Sequence, residues 1–375
     1  MVAGETSGDM LAARLLSGLR PQLPQSLMHG IGGKHMAEFD FHSDYPMEKL
    51  SVRGLFEVLM HYREISGIRK QLMTQLLDER PDVFIGVDAP DFNLDLEINL
   101  KRAGIPTMHY ISPSIWAWRG GRIKKIAEAV SHMLVIFPFE EEIYRKAGIP
   151  ATYVGHPLAQ IIPMQPDVEA AREELGLELD ARVVTILPGS RMSELKYNTA
   201  AFIATAKLLL ERDPHLQFLV PMVGSKQREY YTELVLAAQL DEVPILLMEG
   251  KSHTAIAAAD VVLVASGTAS LEVALFKKPM VIAYKMMAAS WHVLKHMGYQ
   301  PWIGLPNIMA EEFVVPEFLQ SAATPENMAD ALWKQLNDHK LQSDLKQRFT
   351  DMHHALLRDT ASISAQAVLD LIHQR

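Results

Sequence analysis

The chain has 375 residues, a formal net charge of -9, 49% hydrophobic residues and 22% charged residues. This ordinary globular composition and acidic balance argue against nucleic-acid binding as a general function. The absence of cysteine excludes disulfides, thiol catalysis and cysteine-based metal sites. The length suffices for two domains, and no apolar run reaches the roughly 20 residues of a spanning helix, so we expect a soluble or peripheral protein.

The start of the chain combines a short apolar segment with a glycine turn. Met1–Ala3 is shorter than the strand of about five residues that usually precedes such a turn, so we expect a truncated first strand. Gly4–Asp9 lacks the G-x-G-x-x-G fingerprint, and no nicotinamide cofactor is indicated. One interpretation is a capping-box variant formed by Thr6 and Asp9. The other is a loop that lines a cleft, formed by Glu5, Ser7, Gly8 and Asp9.

The segment from Leu50 to Leu77 is rich in apolar residues with basic residues interleaved. Most such stripes face a core. Because this one is apolar over more than one face, an interfacial helix that touches anionic lipid or acyl chains is the alternative. The residues assigned to lipid contact are Leu55, Phe56, Leu59, Ile65, Ile68 and Leu72.

Asp88 directly follows Val83–Val87, a predicted buried strand. Open α/β sheets place catalytic groups at the carboxyl ends of their strands, so Asp88 is a candidate general base. The alternative is a turn aspartate that binds its own backbone. Further on, Ser112–Trp118 precedes a cationic stretch that could bind phosphate or a membrane surface, or could be the solvated face of a capped helix.

The proline-bearing stretch from Gly155 to Pro166 is predicted to be a linker. A second series of alternating strands and helices follows, beginning with the strand Val183–Leu187. The alternation predicts an α/β protein with two doubly wound domains facing each other across a cleft. The turn after the first strand of this series contains Gly189, Ser190 and Arg191, and the arginine could offer its guanidinium to a diphosphate.

The stretch from Ala257 to Tyr284 predicts a phosphate site. A strand at Val261–Ala265 is followed by the turn Ser266, Gly267 and Thr268, and then by a helix whose free N–H groups and dipole favour an anion. Glu272, near the start of that helix, could accept hydrogen bonds from a ribose or could simply complement the helix dipole.

Other polar patterns predict less. Leu305–Asn307 is predicted to be a loop in which Asn307 is by default a turn residue. Asp91, Asn93 and Asp95 mimic the start of a calcium loop, but the required glycine and glutamate are absent, so no metal site is expected.

Seven motifs occur in order: GETSGD at Gly4–Asp9, DAPDFN at Asp88–Asn93, SPSIWAWR at Ser112–Arg119, VGHP at Val154–Pro157, LPGSR at Leu187–Arg191, ASGTASLE at Ala265–Glu272 and LPN at Leu305–Asn307. Together they resemble the lipid-A-disaccharide synthase family of inverting hexosyltransferases with the GT-B fold. The resemblance covers essentially the whole chain. It implies an acceptor domain at residues 1–157, a UDP-sugar domain at 158–350 and a helical segment at 351–375 that crosses back to the first domain.

The resemblance further implies transfer of 2,3-diacylglucosamine from its UDP derivative to 2,3-diacylglucosamine 1-phosphate, without a metal or cofactor. Asp88 would be the base, Glu272 would hold the ribose, Met248 and Gly250 would meet the uracil, and Asn307 would contribute to activity. The expected location is the cytoplasmic face of a Gram-negative inner membrane, with a homodimer as one assembly. A UDP-N-acetylglucosamine 2-epimerase or other UDP-sugar enzyme, and a non-enzymatic nucleotide-sugar or lipid binder, are the alternatives.

Overall fold

The computed structural model describes residues 1–50, 55–116, 120–265, 267–287, 291 and 301–374, with the backbone alone for residues 55–62. The chain divides into two compact units. Unit 1 comprises Met1–Pro157 and Ala355–Arg375, and unit 2 comprises Leu158–His354. The resemblance placed the corresponding boundaries after residues 157 and 350.

Unit 1 is built on seven parallel strands: Val2–Ala3 (β1), Met28–Gly32 (β2), Phe41–Pro46 (β3), Phe84–Val87 (β4), Thr107–Tyr110 (β5), His132–Val135 (β6) and Ala151–Tyr153 (β7). Their order in the sheet is β3-β2-β1-β4-β5-β6-β7. The order reverses between β1 and β4, which is the topological switch point of a doubly wound sheet. Buried apolar runs such as that of β4 form parallel strands because helices cover both faces.

The helices of unit 1 up to its first boundary are Thr6–Leu19 (α1), Lys34–Ala37 (α2), Leu55–Glu79 (α3), Pro90–Arg102 (α4), Arg122–Ala129 (α5) and Pro138–Lys146 (α6), with a 3₁₀ turn at Met47–Lys49. A short helix, Pro157–Ile161 (α7), lies in the stretch predicted to be a linker. None of the helices in the described part of the chain has the length and apolar content needed to cross a membrane.

The lipid-contact prediction for α3 is wrong at Leu72. This side chain is fully buried in one core cluster with Phe84 and Leu96, and Ile65 and Ile68 are half-buried against the same cluster. The helix uses this face to cover the sheet, as the core interpretation of an apolar stripe requires. The side chains of Leu55, Phe56 and Leu59 lie outside the described residues.

Unit 2 contains six parallel strands: Val183–Leu187 (β8), Gln217–Met222 (β9), Ile245–Glu249 (β10), Val261–Val264 (β11), Met280–Tyr284 (β12) and Glu317–Leu319 (β13). Their order is β10-β9-β8-β11-β12-β13, so the reversal falls between β8 and β11. Both units therefore follow the 3-2-1-4-5-6 order of nucleotide-binding doubly wound sheets.

The helices that complete the described chain are Val168–Leu175 (α8), Met192–Arg212 (α9), Ser225–Ala237 (α10), Ser252–Ala258 (α11), Gly267–Leu275 (α12), Leu305–Ala310 (α13), Pro325–Asn337 (α14), His339–Leu356 (α15) and Thr360–His373 (α16), with a 3₁₀ turn at Gln320–Ala322. The segment predicted to be a loop at Leu305–Asn307 is thus the start of a short helix. In unit 1, α16 packs along α1.

We predict that Leu72→Ala lowers the free energy of unfolding by about 2–5 kcal/mol, because it leaves a cavity in the core of unit 1. Leu77 lies on the same helix with 36% exposure, so Leu77→Ala is the matched control and should change stability by less than about 0.5 kcal/mol. Urea denaturation of both variants measures the difference. Equal effects would contradict the assignment of Leu72 to the core.

Candidate active site

The switch point of unit 1 brings two of the predicted motifs together. Gly4 follows β1 and Ala89 lies beyond the end of β4, and a Cβ atom built on Gly4 would be only 2.9 Å from the Cβ of Ala89. Gly8 is buried nearby, with its Cβ position 3.5 Å from the backbone oxygen of Val87. The glycine-rich loop therefore packs directly against the loop that carries Asp88.

Asp88 lies in an unusual backbone conformation. Its φ is 53° and that of Ala89 is 43°, so two consecutive non-glycine residues occupy the left-handed region. The turn is held by hydrogen bonds from the Asp88 N–H to Tyr110 O (2.9 Å) and from Asn93 Nδ2 to Asp88 O (2.8 Å). Left-handed non-glycine residues are strained, and they persist mainly where the surroundings fix them, which is common at active sites.

The environment of the Asp88 carboxyl suits proton transfer. Burial raises its pKa above the ordinary value, and the nearby charge of Glu5 acts in the same direction. A hydrogen bond from the Ala89 N–H and the charge of His109 lower the pKa and oppose these effects. A general base works best when its pKa lies near the ambient pH. The hydrogen bond from Ala89 also shows that this aspartate binds its own turn. The general-base interpretation and the turn interpretation of Asp88 are therefore compatible.

Asp9 differs from the other predicted loop residues in its hydrogen bonds. Its buried carboxylate accepts three backbone N–H groups, from Gly33 (2.8 Å), His35 (3.0 Å) and Met36 (3.1 Å). It therefore fixes the turn between β2 and α2, which leaves no ligand-facing role. The capping-box interpretation is also wrong, because α1 begins after Glu5 without a side-chain cap. Within this loop Ser7 is exposed and Glu5 half-buried.

A buried glutamate, missed in the sequence, anchors the segment that follows β5. Glu140 accepts the indole N–H of Trp116 (3.1 Å) and the backbone N–H groups of Ile136 (3.2 Å) and Phe137 (3.0 Å). Burial raises the pKa of Glu140 to about 7. The sequence did contain a signal for this role. Pro138 is typical of the first residue of a helix, and Glu140 is then the third helical residue, a position where glutamate often accepts backbone N–H groups. Residues 117–119 of this motif lie outside the described chain.

Two of the basic residues after that motif, Arg122 and Lys125, form ion pairs with α4. Arg122 contacts Asp91 at 2.5 Å, and Lys125 contacts Asp95 at 2.6 Å. Asp95 also contacts Arg69 of α3 at 2.9 Å. These pairs link three helices of unit 1, so these cations help to hold helices together and are not a free basic face.

In unit 2, the turn after β8 wraps around a buried carboxylate. Glu194 accepts the backbone N–H groups of Ser190 (2.9 Å) and Arg191 (3.1 Å). Gly189 has a φ of 116°, and a Cβ there would be 2.4 Å from the Cβ of Glu194, so only glycine fits. These two amides are therefore occupied. The guanidinium of Arg191 is on a side chain that is 79% exposed, although its Nη1 also contacts Oε1 of Glu194 at 3.3 Å, so it is the cationic group that this turn presents to solvent.

The predicted phosphate helix begins beside that turn, at the end of the neighbouring strand β11. Gly267 is its first residue and Thr268 is exposed, whereas Ser266 lies outside the described residues. Glu272 is in the second turn, so the helix-dipole interpretation is wrong. Its side chain is 25% exposed, and its Oε2 is 3.3 Å from Nε2 of His253.

His253 connects Glu272 to the predicted uracil region. It is the second residue of α11, shortly after Met248 and Gly250. Met248 is half-buried at the end of β10, and Gly250 is exposed with a φ of 65°. His253 therefore links the start of α11, which follows the segment predicted to meet the base, to the carboxylate predicted to hold the ribose. Sequence reasoning missed His253, since only the fold brings α11 to α12.

Asn307, which the resemblance implies is important for activity, is fully buried and forms its hydrogen bonds within the protein. Its Nδ2 donates to Val315 O (2.9 Å) and to Glu317 Oε1 (2.8 Å), and its Oδ1 accepts the Val315 N–H (2.9 Å). The helix that carries it lies beside the phosphate helix, because the Leu305 N–H donates to Ser270 Oγ (3.2 Å). Asn307 therefore shapes this segment from within.

The two doubly wound units, each with charged side chains at its switch point, define the GT-B class of fold. Solved structures support the class. The chain resembles a UDP-GlcNAc 2-epimerase from Neisseria meningitidis with a TM-score of 0.57, 12% identity and 98% coverage of both chains. It resembles the calicheamicin glycosyltransferase CalG4 with a TM-score of 0.59, 14% identity and coverage of 100% of this chain and 96% of that chain.

Residues 1–368 match the family described as Lipid-A-disaccharide synthetase, and the chain belongs to this family of glycosyltransferases. The Lipid-A-disaccharide synthase of Aromatoleum aromaticum is 52% identical over 374 residues, covering 100% of this chain and 96% of the relative. The Lipid-A-disaccharide synthase of Dechloromonas aromatica is 51% identical over 374 residues, covering 100% of this chain and 98% of the relative. The resemblance is therefore confirmed, and the epimerase alternative, which shares only the fold, is not favoured.

We predict that Glu194→Ala lowers the free energy of unfolding by about 1–2 kcal/mol, because two backbone N–H groups at the start of α9 lose their acceptor. Glu211→Ala, near the exposed end of the same helix, is the matched control and should have almost no effect. Thermal unfolding of the full chain measures both. A Glu194→Ala variant as stable as the control would show that the turn does not depend on this carboxylate.

Proposed function

We propose that this chain transfers 2,3-diacylglucosamine from UDP-2,3-diacylglucosamine to 2,3-diacylglucosamine 1-phosphate. The products are the β-1,6-linked lipid A disaccharide 1-phosphate and UDP. The observation that carries the proposal is the match of residues 1–368 to the Lipid-A-disaccharide synthetase family, together with about half of all positions identical to its curated members.

The reaction is a single in-line displacement. The 6-hydroxyl oxygen of the acceptor forms a bond to the anomeric carbon of the donor as the bond from that carbon to the phosphate oxygen breaks. The electron pair of the broken bond leaves with UDP, the configuration inverts, and Asp88 takes the hydroxyl proton. The strained turn at the end of β4 and the raised pKa of this carboxyl support the assignment.

Unit 2 holds the donor in this proposal. The exposed guanidinium of Arg191 and the start of α12, with Gly267, Thr268 and the adjacent Ser266, stabilise the charge that gathers on the diphosphate. Glu272 accepts the ribose hydroxyls. The backbone near Met248 and Gly250 meets the uracil, and Gly189 and Ser190 form the turn that presents the arginine. We propose that the reaction needs no metal or cofactor. The guanidinium of Arg191 supplies positive charge, and the start of α12 donates hydrogen bonds to the diphosphate.

The lipid substrates require access to a membrane surface. We propose that the chain works as a peripheral protein on the cytoplasmic face of the inner membrane, as a monomer or homodimer. Leu55, Phe56 and Leu59, which precede the core-facing part of α3, are the residues we assign to acyl chains or anionic lipid. The burial of Leu72 assigns the later part of α3 to the core, so the proposal is confined to these three residues.

We predict that Asp88→Asn reduces turnover by about 10²–10⁴-fold while UDP still binds, because the substitution removes the base and leaves unit 2 unchanged. The measurement is UDP release from the diacylated donor in the presence of the sugar 1-phosphate acceptor, with calorimetry for UDP binding. Asp91→Asn, three residues further on and largely exposed, is the matched control and should retain most activity.

The same assay tests the function itself. UDP release by the unaltered chain must depend on the acceptor and yield the disaccharide. Conversion of the donor without acceptor would support an epimerase-type activity, and UDP binding without any turnover would support a binding protein. Normal turnover by Asp88→Asn would refute the base assignment.

We predict that replacing Leu55, Phe56 and Leu59 with serine weakens association with anionic phospholipid vesicles by about tenfold, because apolar contact area is lost. Leu236→Ser, at an exposed position of α10, is the control and should leave association unchanged. Vesicle co-sedimentation measures both. Equal association of the triple variant and the unaltered chain would assign these side chains to the core.

A further inference from the structure

A polar cluster lies inside unit 1 directly behind the Asp88 turn. Glu97 of α4 and His109 of β5 are both 0% exposed, with Oε1 and Nδ1 2.7 Å apart. Neither residue belongs to the motifs that predicted the site. Taking two ionisable groups out of water is unfavourable, and a well-packed apolar pair at such a place is often equally stable or more stable. The pair therefore needs an explanation beyond packing.

The cluster is in contact with the backbone that carries Asp88. Asn93, fully buried and one helical turn before Glu97, donates from Nδ2 to Asp88 O (2.8 Å) and to Val2 O (3.3 Å). Gly86 pairs with His109 across β4 and β5. A Cβ on Gly86 would be 2.2 Å from Glu97 Oε1 and 2.9 Å from the Cβ of Asn93, so a glycine makes room for both side chains.

The hydrogen bonding of the cluster is incomplete. Asn93 Oδ1, Glu97 Oε2 and His109 Nε2 are buried without a hydrogen-bond partner among the described residues. Buried polar atoms are nearly always paired, and an unpaired one is costly. Three such atoms on three neighbouring side chains, next to two strained backbone residues, indicate that the cluster is maintained for the site and not for stability.

We propose that Asn93, Glu97 and His109 are positioning residues for Asp88: Asn93 holds the left-handed turn through the Asp88 carbonyl, and the Glu97–His109 pair lies beside Asn93 against Gly86, behind the turn. This inference rests on the proposed role of Asp88 as the general base. It assigns no contact between the cluster and either substrate.

The electrostatics of the turn agree with this arrangement. The charged groups that face Asp88 are His109 from β5, Glu5 from the loop after β1, and Glu97 through its pairing with His109. The charge of His109 lowers the pKa of Asp88, whereas burial and Glu5 raise it. Asp88 accepts a proton only when ionised. Replacing His109 with an uncharged residue therefore raises the pKa of Asp88, and activity is then lost at a higher pH as the pH falls.

The test compares Glu97→Gln, His109→Gln and the double variant in the full chain, by UDP release across pH. Glu97→Gln keeps the size of the side chain and an acceptor for His109, and the two amides of the double variant can bond to each other. We expect kcat to fall about tenfold in all three, with the KM for donor and the affinity for UDP within about twofold of the unaltered chain. The acid limb of the pH–rate profile should move to higher pH in His109→Gln and in the double variant, which lack the charge of His109.

Asn93→Leu tests the backbone part of the proposal and should lower kcat at least tenfold without weakening UDP binding. Thr107→Val is the matched structural control: Thr107 is fully buried on the same strand as His109, and its hydroxyl donates to Ala129 O (2.6 Å). It should lower stability and leave the pH profile in place. A shift of the acid limb in Thr107→Val equal to that in His109→Gln would overturn the proposal.

Unchanged kcat and acid limb in the Glu97 and His109 variants, with Asp88→Asn inactive, would overturn this inference and leave the base assignment intact. Full activity of Asp88→Asn would overturn the base assignment, and the inference with it. Reduced kcat, constant KM and a shifted acid limb, all absent from Thr107→Val, support it.

Discussion

The reversal of strand order in each parallel sheet is the constraint on which the rest of the structure depends. When the chain passes from β1 to β4, or from β8 to β11, successive helices turn to opposite faces of the sheet, and the loops on the two sides of the reversal diverge. The residues at the carboxyl ends of these strands are then free of helical cover. In unit 1 this places Gly4 beside Ala89, and in unit 2 it puts the Arg191 turn and the start of α12 on neighbouring strands.

Loops at such an edge have unpaired backbone N–H groups, and this chain satisfies many of them with its own buried carboxylates. Asp9, Glu140, Glu194 and Glu317 each accept two or more backbone N–H groups from a nearby turn. Hydrogen bonds to an ionised acceptor are short and strong, so each carboxylate fixes the shape of its loop. The consequence is that the N–H groups of Ser190 and Arg191 are used internally, by Glu194, and are not available to a ligand.

The sequence predicted the strands well because buried parallel strands are short apolar runs: Val183–Leu187 has the predicted bounds, and the strand predicted at Val261–Ala265 runs from Val261 to Val264. It predicted that Asp88 and Arg191 lie at the edge of a sheet, because both residues follow shortly after the end of a predicted strand. It could not predict the partners of Asp9 or the pairing of Glu272 with His253, since these contacts join residues distant in the chain. The burial of Leu72 was also missed, because a stripe that is apolar on several faces does not show which face meets the sheet.

Fold alone does not decide what such a site does, since the epimerase and the glycosyltransferase that resemble this chain share its architecture at 12% and 14% identity. The environments of individual carboxylates are more informative. Asp88 is strained, half-buried and raised in pKa, which suits a group that must take up a proton. Glu272 lies on a regular helix with its Oε2 3.3 Å from Nε2 of His253, which suits a carboxylate that accepts hydrogen bonds. The two carboxylates at equivalent sheet edges therefore differ in their surroundings, and this difference is the physical basis for proposing different tasks for them.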